Sequence, residues 1–191
     1  MNWLPDYNYI LASNSPRRRQ LLESLGIKFQ VKTKEVEEHY PDNLEKEEIP
    51  VYLARLKAQP FLEEIGEKDL VITADTIVWL NGKVMGKPKN RSEAVNMLND
   101  LSGKQHHVIS GVCLTTKHKE TTFFATSVVF FKKLTNKEIE YYITTYKPFD
   151  KAGAYGIQEW IGSIGISHIE GSFYNVMGLP IQKFYEEVQK F

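Results

Sequence analysis

A short polar segment near the start of the chain has residue types suited to holding an anion. It reads Ser13-Asn14-Ser15-Pro16-Arg17-Arg18 and follows a β-prone stretch. Ser15 is a good N-cap and Pro16 suits the first helical position, so a helix with free N–H groups is predicted to begin here. Arginines in the first turn oppose the helix dipole, and a phosphate held by forked hydrogen bonds would offset that cost. The alternative is a solvated basic turn.

A second candidate is an acidic residue inside one of the most apolar segments of the chain. Asp75 interrupts the run from Leu70 to Leu80, although Asp is depleted in β-strands. A carboxylate in such a position can bind a metal ion or act as a base. The alternative is a structural carboxylate that pairs with a neighbouring backbone group or arginine.

Three other charged residues are, from the residues alone, most simply solvated side chains. Glu38 lies in the acidic stretch 35–48, which holds seven acids and one lysine. Lys57 is surrounded in sequence by apolar helical residues, where a lysine commonly lays its stem along apolar surface. Lys87 stands between a glycine and a proline, which places it in a rigid turn.

Two glycine-containing segments lie in the last quarter of the chain. The first, DKAGAYGIQ, runs from Asp150 to Gln158, and the second, GSFYNVMGLP, runs from Gly171 to Pro180. Gly153 and Gly156 permit either a close approach of the backbone to a ligand or an irregular turn. Neither segment decides between the two alternatives on its own.

The remaining chemical residues favour structural roles. His106 and His107 are adjacent, so in a strand they face opposite ways and cannot share a metal ion. Cys113 stands between apolar residues and is predicted to lie in the core. The sequence contains no Walker-type loop, no GxGxxG after a strand, no GxSxG and no zinc-ligand spacing.

The elements that must position these residues alternate between strands and helices. Strands are predicted over 9–13, 27–33, 70–80, 107–116 and 121–134, and helices over 16–25, 49–65, 92–101, 135–146 and 180–190. Gly26 is expected at the C′ position of the first helix, and Pro60 is expected to kink or restart the second. Asn81-Gly82 predicts a hairpin turn. Two long adjacent strands among the alternating elements predict an α/β fold with a mixed sheet.

The composition excludes several classes of protein. The 24 Lys and Arg balance the 24 Asp and Glu, whereas proteins that coat nucleic acid or anionic membranes carry a cationic excess. The 191 residues predict one domain spanning 1–191. The apolar runs are too short for a membrane span and the start does not resemble a signal peptide. A single cysteine fits a reducing compartment, so a cytoplasmic protein is expected.

Together, these segments resemble the Maf family of nucleoside triphosphate pyrophosphatases, also called septum formation inhibitor proteins. The resemblance runs nearly end to end, and several rare strings in the right order are far more specific than any one of them. The strings are Leu11–Arg18, Ala74–Val78, Gly86–Pro88, Leu101–Gly103, Ser110–Val112, Asp150–Gln158 and Gly171–Pro180.

The resemblance implies an α/β fold in which helices flank a bent mixed sheet, with two lobes around a nucleotide-binding cleft. It implies hydrolysis of a nucleoside triphosphate to the monophosphate and pyrophosphate with a divalent cation, Mg²⁺ or Mn²⁺. The Gly-Ile-Gln ending at Gln158 resembles the branch that acts on dTTP and UTP, not the one that acts on 7-methyl-GTP. It also implies a small-molecule nucleotide partner and a homodimer.

Individual positions match the family residue by residue. Asp75 matches the catalytic carboxylate. The specificity positions are Arg17, Thr76 and Gln158. The expected phosphate ligands are Ser13, Arg17, Lys57 and Lys87. Asp75 and Glu38 are the expected metal ligands, since carboxylate oxygens suit Mg²⁺ and Mn²⁺.

The amide of Gln158 suits one kind of pyrimidine edge. Uracil and thymine present a carbonyl acceptor beside an N3–H donor, and one amide can meet both. Cytosine presents an amino donor and an acceptor there, so a fixed amide would leave polar groups unpaired at a cost of about 1–3 kcal/mol. We therefore expect at least roughly tenfold preference for UTP over CTP.

Three classes of function compete for this sequence. The first is an enzyme that removes pyrimidine triphosphates, normal or modified, before they enter RNA or DNA, with a link to cell-division arrest. The second is a non-catalytic nucleotide-binding regulator of septum formation, which would have no use for Asp75 because a carboxylate repels phosphates unless a metal intervenes. The third is a nucleic-acid-binding module, which zero net charge argues against.

Overall fold

The structure, a computed structural model, describes residues 3–191. Within them the strands form one sheet with the order β2-β1-β3-β5-β6-β7, and β4 pairs with β3. The strands are β1 (Asn8–Leu11), β2 (Phe29–Val31), β3 (Asp69–Leu80), β4 (Lys83–Met85), β5 (Gln105–Thr115), β6 (Glu120–Phe131) and β7 (Ile166–Glu170). β1 runs parallel to β2 and β3, whereas β4 is antiparallel to β3 and β7 to β6. The predicted α/β fold with a mixed sheet is confirmed.

Helices alternate with these strands. The α-helices are α1 (Pro16–Glu23), α2 (Glu48–Ala58), α3 (Arg91–Leu101), α4 (Asn136–Tyr146), α5 (Trp160–Gly165), α6 (Phe173–Met177) and α7 (Ile181–Val188), with 3-10 turns at Gln59–Phe61 and Ala152–Ala154. No helix in the described range is long and apolar enough to cross a membrane.

Several predicted boundaries are confirmed. Ser15 caps α1 through a hydrogen bond from the Arg18 N–H at 3.4 Å. Asn81 and Gly82, with φ of 51° and 80°, form the two-residue turn between β3 and β4, as an Asn-Gly pair predicts.

Other boundaries were wrong. The second helix does not run to residue 65: α2 ends at Ala58 and a 3-10 turn follows, because Pro60 has no N–H to continue the helical ladder. Gly26 is not at C′, since α1 ends at Glu23 and Gly26, at φ 70°, closes the turn after it. The stretch from Gly153 to Gly178, for which no element was predicted because its glycines lower helix and strand propensity, folds into α5, β7 and α6.

The chain divides into two compact units. The first comprises residues up to Thr76, Ser110–Ala125 and Gly178–Phe191, and the second comprises Ile77–Ile109 and Thr126–Met177. Strands β3, β5 and β6 contribute residues to both units. Each unit has its own buried apolar side chains, among them Leu22 and Leu70 in the first and Leu98 and Ile139 in the second.

Candidate active site

The first unit brings two carboxylates and one ammonium together. Asp75, on β3, accepts a hydrogen bond from the Lys57 ammonium at 2.6 Å, and Glu38 Oε1 lies 3.0 Å from the same nitrogen. The side chains of Asp75 and Lys57 are 13% and 17% exposed, and that of Glu38 is 50% exposed. We call these three residues the acidic cluster. It carries two negative charges and one positive charge at neutral pH.

The helix that bears Lys57 is held against the sheet by close contacts. Thr73, two residues before Asp75, donates a hydrogen bond to the Ala54 carbonyl at 2.6 Å. Gly111 on β5 leaves room for the α2 backbone, because a Cβ there would stand 2.3 Å from the Pro50 carbonyl carbon. The 3-10 turn at Pro60 begins after Lys57 and leaves its contact with Asp75 intact.

A second polar cluster surrounds the guanidinium of Arg18. Its Nε donates to the Gly178 carbonyl at 2.9 Å, its Nη2 to Thr76 Oγ1 at 3.2 Å and its Nη1 to Ser13 Oγ at 3.4 Å. Burial lowers the pKa of Arg18, and the negative charge of Asp75 opposes that shift. Arg18 therefore fixes two of the predicted site residues, Ser13 and Thr76, in place.

Thr76 is tied to a further strand of the same unit. Its Oγ1 lies 2.8 Å from Ser110 Oγ on β5 and 3.3 Å from the Gly178 carbonyl. Because Thr76 follows Asp75 directly, these bonds also fix the strand on the far side of the carboxylate. Arg17 is partly buried in the first turn of α1.

The second unit carries the other two predicted site residues, Lys87 and Gln158, and both are exposed. Lys87 lies in the turn after β4. That turn is joined to the segment before Gln158 by a hydrogen bond from the Gly153 N–H to the Gly86 carbonyl at 3.1 Å. Gly153 needs its positive φ of 67°, and a Cβ there would come within 3.2 Å of Val78.

The main polar residue of the segment Gly171–Pro180 has a structural role. Asn175 is fully buried, and its amide donates to the Val108 carbonyl and to Ser127 Oγ, both at 3.0 Å. Ser127 also exchanges hydrogen bonds with the Ser172 backbone. These bonds hold the segment against β5 and β6.

Two expectations about the remaining chemical residues are confirmed. His106 is 1% exposed while its neighbour His107 is half-buried, so the two rings face opposite ways. Cys113 is fully buried, and burial raises the pKa of its thiol to about 11, which makes it a core residue and not a nucleophile. Across residues 3–191, no three His, Cys, Asp or Glu side chains gather to hold a metal ion.

Comparison with known proteins decides the family. The family model described as Maf-like protein matches residues 8–191. The chain belongs to the Maf-like family. The resemblance read from the sequence is therefore confirmed.

Two relatives of this Maf-like chain carry the same name. The chain is 57% identical over 188 residues to a Phocaeicola vulgatus protein named dTTP/UTP pyrophosphatase, and the match covers 98% of the chain and 97% of that protein. It is 54% identical over 189 residues to a Parabacteroides distasonis protein of the same name, with 98% of both chains covered. The solved Staphylococcus aureus Ham1 protein shares the fold, with a TM-score of 0.54 and 16% identity over 94% of the chain and 99% of that structure.

Some residues of this Maf-like site were missed by sequence reasoning. Arg18 was noted beside Arg17 but not assigned a place, and only its three hydrogen bonds reveal it as the centre of a cluster. Ser110 stood in one of the family strings but was not assigned to the site, and only its contact with Thr76 places it there. Tyr142 and Glu159, described below, are separated from their partners in the sequence.

Proposed function

We propose that this Maf-like chain hydrolyses dTTP and UTP to the monophosphate and pyrophosphate. The observation that carries the proposal is the acidic cluster, in which Lys57 joins Asp75 and Glu38. The names of the relatives at 57% and 54% identity support the same reaction and substrates. A non-catalytic regulator of septum formation is the less favoured alternative, because a protein that only bound the nucleotide would gain nothing from two carboxylates at its phosphates.

The charge of the acidic cluster explains why the reaction needs a cation. Two carboxylates and one ammonium leave a net charge of −1, which would repel a triphosphate. Asp75 and Glu38 fit a Mg²⁺ or Mn²⁺ ion, because such ions bind through one or two carboxylates and complete their coordination with water and phosphate oxygens. A divalent cation held there would neutralise charge on the phosphate oxygens.

The chain's own residues then accept the proton and bind the phosphates. Asp75 accepts a proton from a water molecule, whose oxygen attacks the α-phosphorus as the bond to the bridging oxygen breaks and pyrophosphate leaves. Lys57 holds the Asp75 carboxylate in place and supplies positive charge beside it. Ser13, Arg17 and Lys87 are proposed phosphate ligands.

Base selection is assigned to residues outside the acidic cluster. Gln158 offers an exposed amide in the second unit, and Arg17 and Thr76 are the other proposed specificity positions. The amide of Gln158 would pair with the carbonyl and N3–H of uracil or thymine. We therefore propose a pyrimidine substrate with a keto group at C4, normal or modified.

The decisive experiment measures pyrophosphate release from UTP, dTTP, CTP and 7-methyl-GTP with Mg²⁺ or Mn²⁺. Wild type is compared with Asp75→Asn, which keeps the shape of the side chain and removes the base. Asp69→Asn, on the same strand, is the matched control. We expect Asp75→Asn to lose about 10²–10⁴-fold activity, with circular dichroism and urea unfolding close to wild type.

Hydrolysis of UTP in ¹⁸O-labelled water locates the attack. Label in UMP supports attack at the α-phosphorus, and label in pyrophosphate contradicts it. Activity of Asp75→Asn above about a tenth of wild type would refute Asp75 as the base. Tight binding of UTP by folded wild type without turnover would favour the regulator.

A further inference from the structure

The loop that carries Gln158 is exposed at that residue and buried before it. Tyr155 and Ile157 are each 6% exposed, whereas Gln158 is exposed. Within residues 3–191 the Gln158 amide makes no hydrogen bond, and it lines a groove of about 460 Å³ together with Ile166 and Phe173. An amide that selects between bases must start from a fixed place on the backbone, so the loop around Gln158 contributes by holding that place.

One buried hydroxyl bonds to the backbone before Gln158 and to the side chain after it. Tyr142, on α4, is fully buried. Its oxygen accepts a hydrogen bond from the Gly156 N–H at 3.0 Å and donates a short one to Glu159 Oε2. The two partners lie two residues before and one residue after Gln158, so a single side chain spans the loop tip.

A buried ion pair completes this support. The second oxygen of Glu159 lies 3.1 Å from the Lys151 ammonium, which also bonds to Asp150 at 2.7 Å. Gly156 makes room for both side chains, because a Cβ there would come within 2.8 Å of the Glu159 carboxyl carbon and 3.1 Å of the Lys151 stem. The Glu159 N–H donates to the Gly156 carbonyl at 3.0 Å, which closes the turn around Gln158.

The protonation of Tyr142 keeps this arrangement fixed. Burial, followed by the hydrogen bond and charge of Glu159, raises the pKa of the phenol far above its ordinary value. The hydroxyl therefore keeps its proton, which it donates to Glu159, at neutral pH.

We infer that Tyr142 is a positioning residue for base selection: its hydroxyl, bonded to Gly156 and Glu159, fixes the loop so that the Gln158 side chain leaves the backbone at one place, from which its amide reaches one edge of the base. This inference rests on the proposed function, because it assigns to Tyr142 the selection of uracil and thymine over cytosine. The residue acts through the backbone of the loop and does not touch the nucleotide.

The test uses binding as well as turnover. Dissociation constants for α,β-imido-UTP and α,β-imido-CTP, which resist hydrolysis between the α- and β-phosphates, are measured by calorimetry with Mg²⁺ present. Tyr142→Phe keeps the ring and removes the hydroxyl, and we expect its preference for the UTP analogue to fall about tenfold. In turnover, the KM for UTP should rise while kcat changes little.

Tyr146→Phe is the matched control. Tyr146 lies on the same helix with its ring stacked on Tyr142 at 5.2 Å, and its hydroxyl makes no hydrogen bond among the described residues. We expect the wild-type preference in this variant. A purely structural role for Tyr142 would lower the unfolding midpoint and leave the ratio of the two dissociation constants unchanged, which would overturn the inference.

A second pair of variants decides the question if Tyr142→Phe does not fold. Glu159→Gln keeps an acceptor for the Tyr142 hydroxyl and should retain the preference, whereas Glu159→Ala removes the acceptor and should lose it. Equal preference in both variants contradicts the inference. If the wild type binds the two analogues with different affinities but releases no pyrophosphate from UTP, only the proposed reaction is overturned. The ratios of the dissociation constants still test the role of Tyr142.

Discussion

The two units of this protein prepare polar groups for chemistry in opposite ways. In the first, the groups proposed to act on the substrate bond to each other: Lys57 lies between Asp75 and Glu38, and Arg18 holds Thr76. In the second, the Gln158 amide makes no hydrogen bond within residues 3–191, and the buried Tyr142 hydroxyl bonds to the Gly156 N–H before it and to the Glu159 carboxylate after it.

This difference follows from what each group must do. Charged groups that are left unpaired in a partly buried place are costly, so the acidic cluster satisfies its charges internally until a ligand enters. A neutral amide that reads a base edge must keep its donor and acceptor available. The place from which it reaches the base is therefore fixed indirectly, by hydrogen bonds to the neighbouring residues.

Among variants that keep Asp75, the largest effect is expected from breaking the pairing in the first unit. Lys57→Met keeps the apolar stem and removes the charge, so we expect kcat/KM for UTP to fall about 10–100-fold, as for one lost charge-assisted hydrogen bond. Arg55→Met is the control, since Arg55 lies on the same helix and pairs with Glu120 at the surface. A loss below about threefold would mean that the ammonium does not support the reaction.

The free energy of unfolding should depend on pH through a buried histidine of the second unit. His106 lies 2.7 Å from the Tyr155 hydroxyl, and burial, with a smaller contribution from His107, lowers its pKa to about 3. The unfolded chain therefore binds a proton below about pH 6.5 that the folded chain refuses. As the pH falls from 6.5 toward 3, His106 should lower the free energy of unfolding by up to about 1.4 kcal/mol per pH unit.

Urea unfolding of wild type and His106→Gln between pH 7 and 4 measures this contribution. Glutamine can still bond to Tyr155 but does not titrate, so the variant should lose stability less steeply as the pH falls. His168→Gln is the control, because His168 is exposed. Parallel curves for wild type and His106→Gln would show that His106 is not the titrating group.

The smallest expected effect comes from a variant that lowers the stability of α4 without changing the position of Tyr142. Thr135 and Glu138 form a capping box at the start of α4, the helix that carries Tyr142. Thr135→Ala should cost about 1 kcal/mol of unfolding free energy and leave the preference for UTP over CTP at its wild-type value. A changed preference at this distance would indicate that general loosening of α4, not the hydroxyl alone, governs Gln158.

Sequence patterns predicted most of this fold and part of the site. Local signals sufficed where one segment dictates its own shape, as at the Ser15 cap and the Asn81-Gly82 turn. They failed where glycine hides an element, as in α5, which contains Gly162 and Gly165. The contact of Lys57 with Asp75 and Glu38 joins distant segments, and only the family resemblance pointed to those three residues together.

The support of Gln158 could not be read from the sequence. Tyr142 is sixteen positions before it on a helix whose apolar face is predicted to be core, and Glu159 is one acid among many. Similarly, Arg17 and Arg18 are equivalent by composition. The place of Arg18 depends on where α1 meets Gly178, which is a tertiary contact.

The close approach of Gly111 to Pro50 has a consequence for how this protein tolerates mutation. Any side chain at position 111 must push α2 outward, and the outward shift would carry Lys57 away from its carboxylates. A saturation scan selected on activity would therefore score Gly111 among the least replaceable positions, beside Asp75. Variants at the two positions would differ in solubility and folding. Replacing Asp75 removes the proposed base and leaves the fold, whereas replacing Gly111 displaces the helix that carries Lys57.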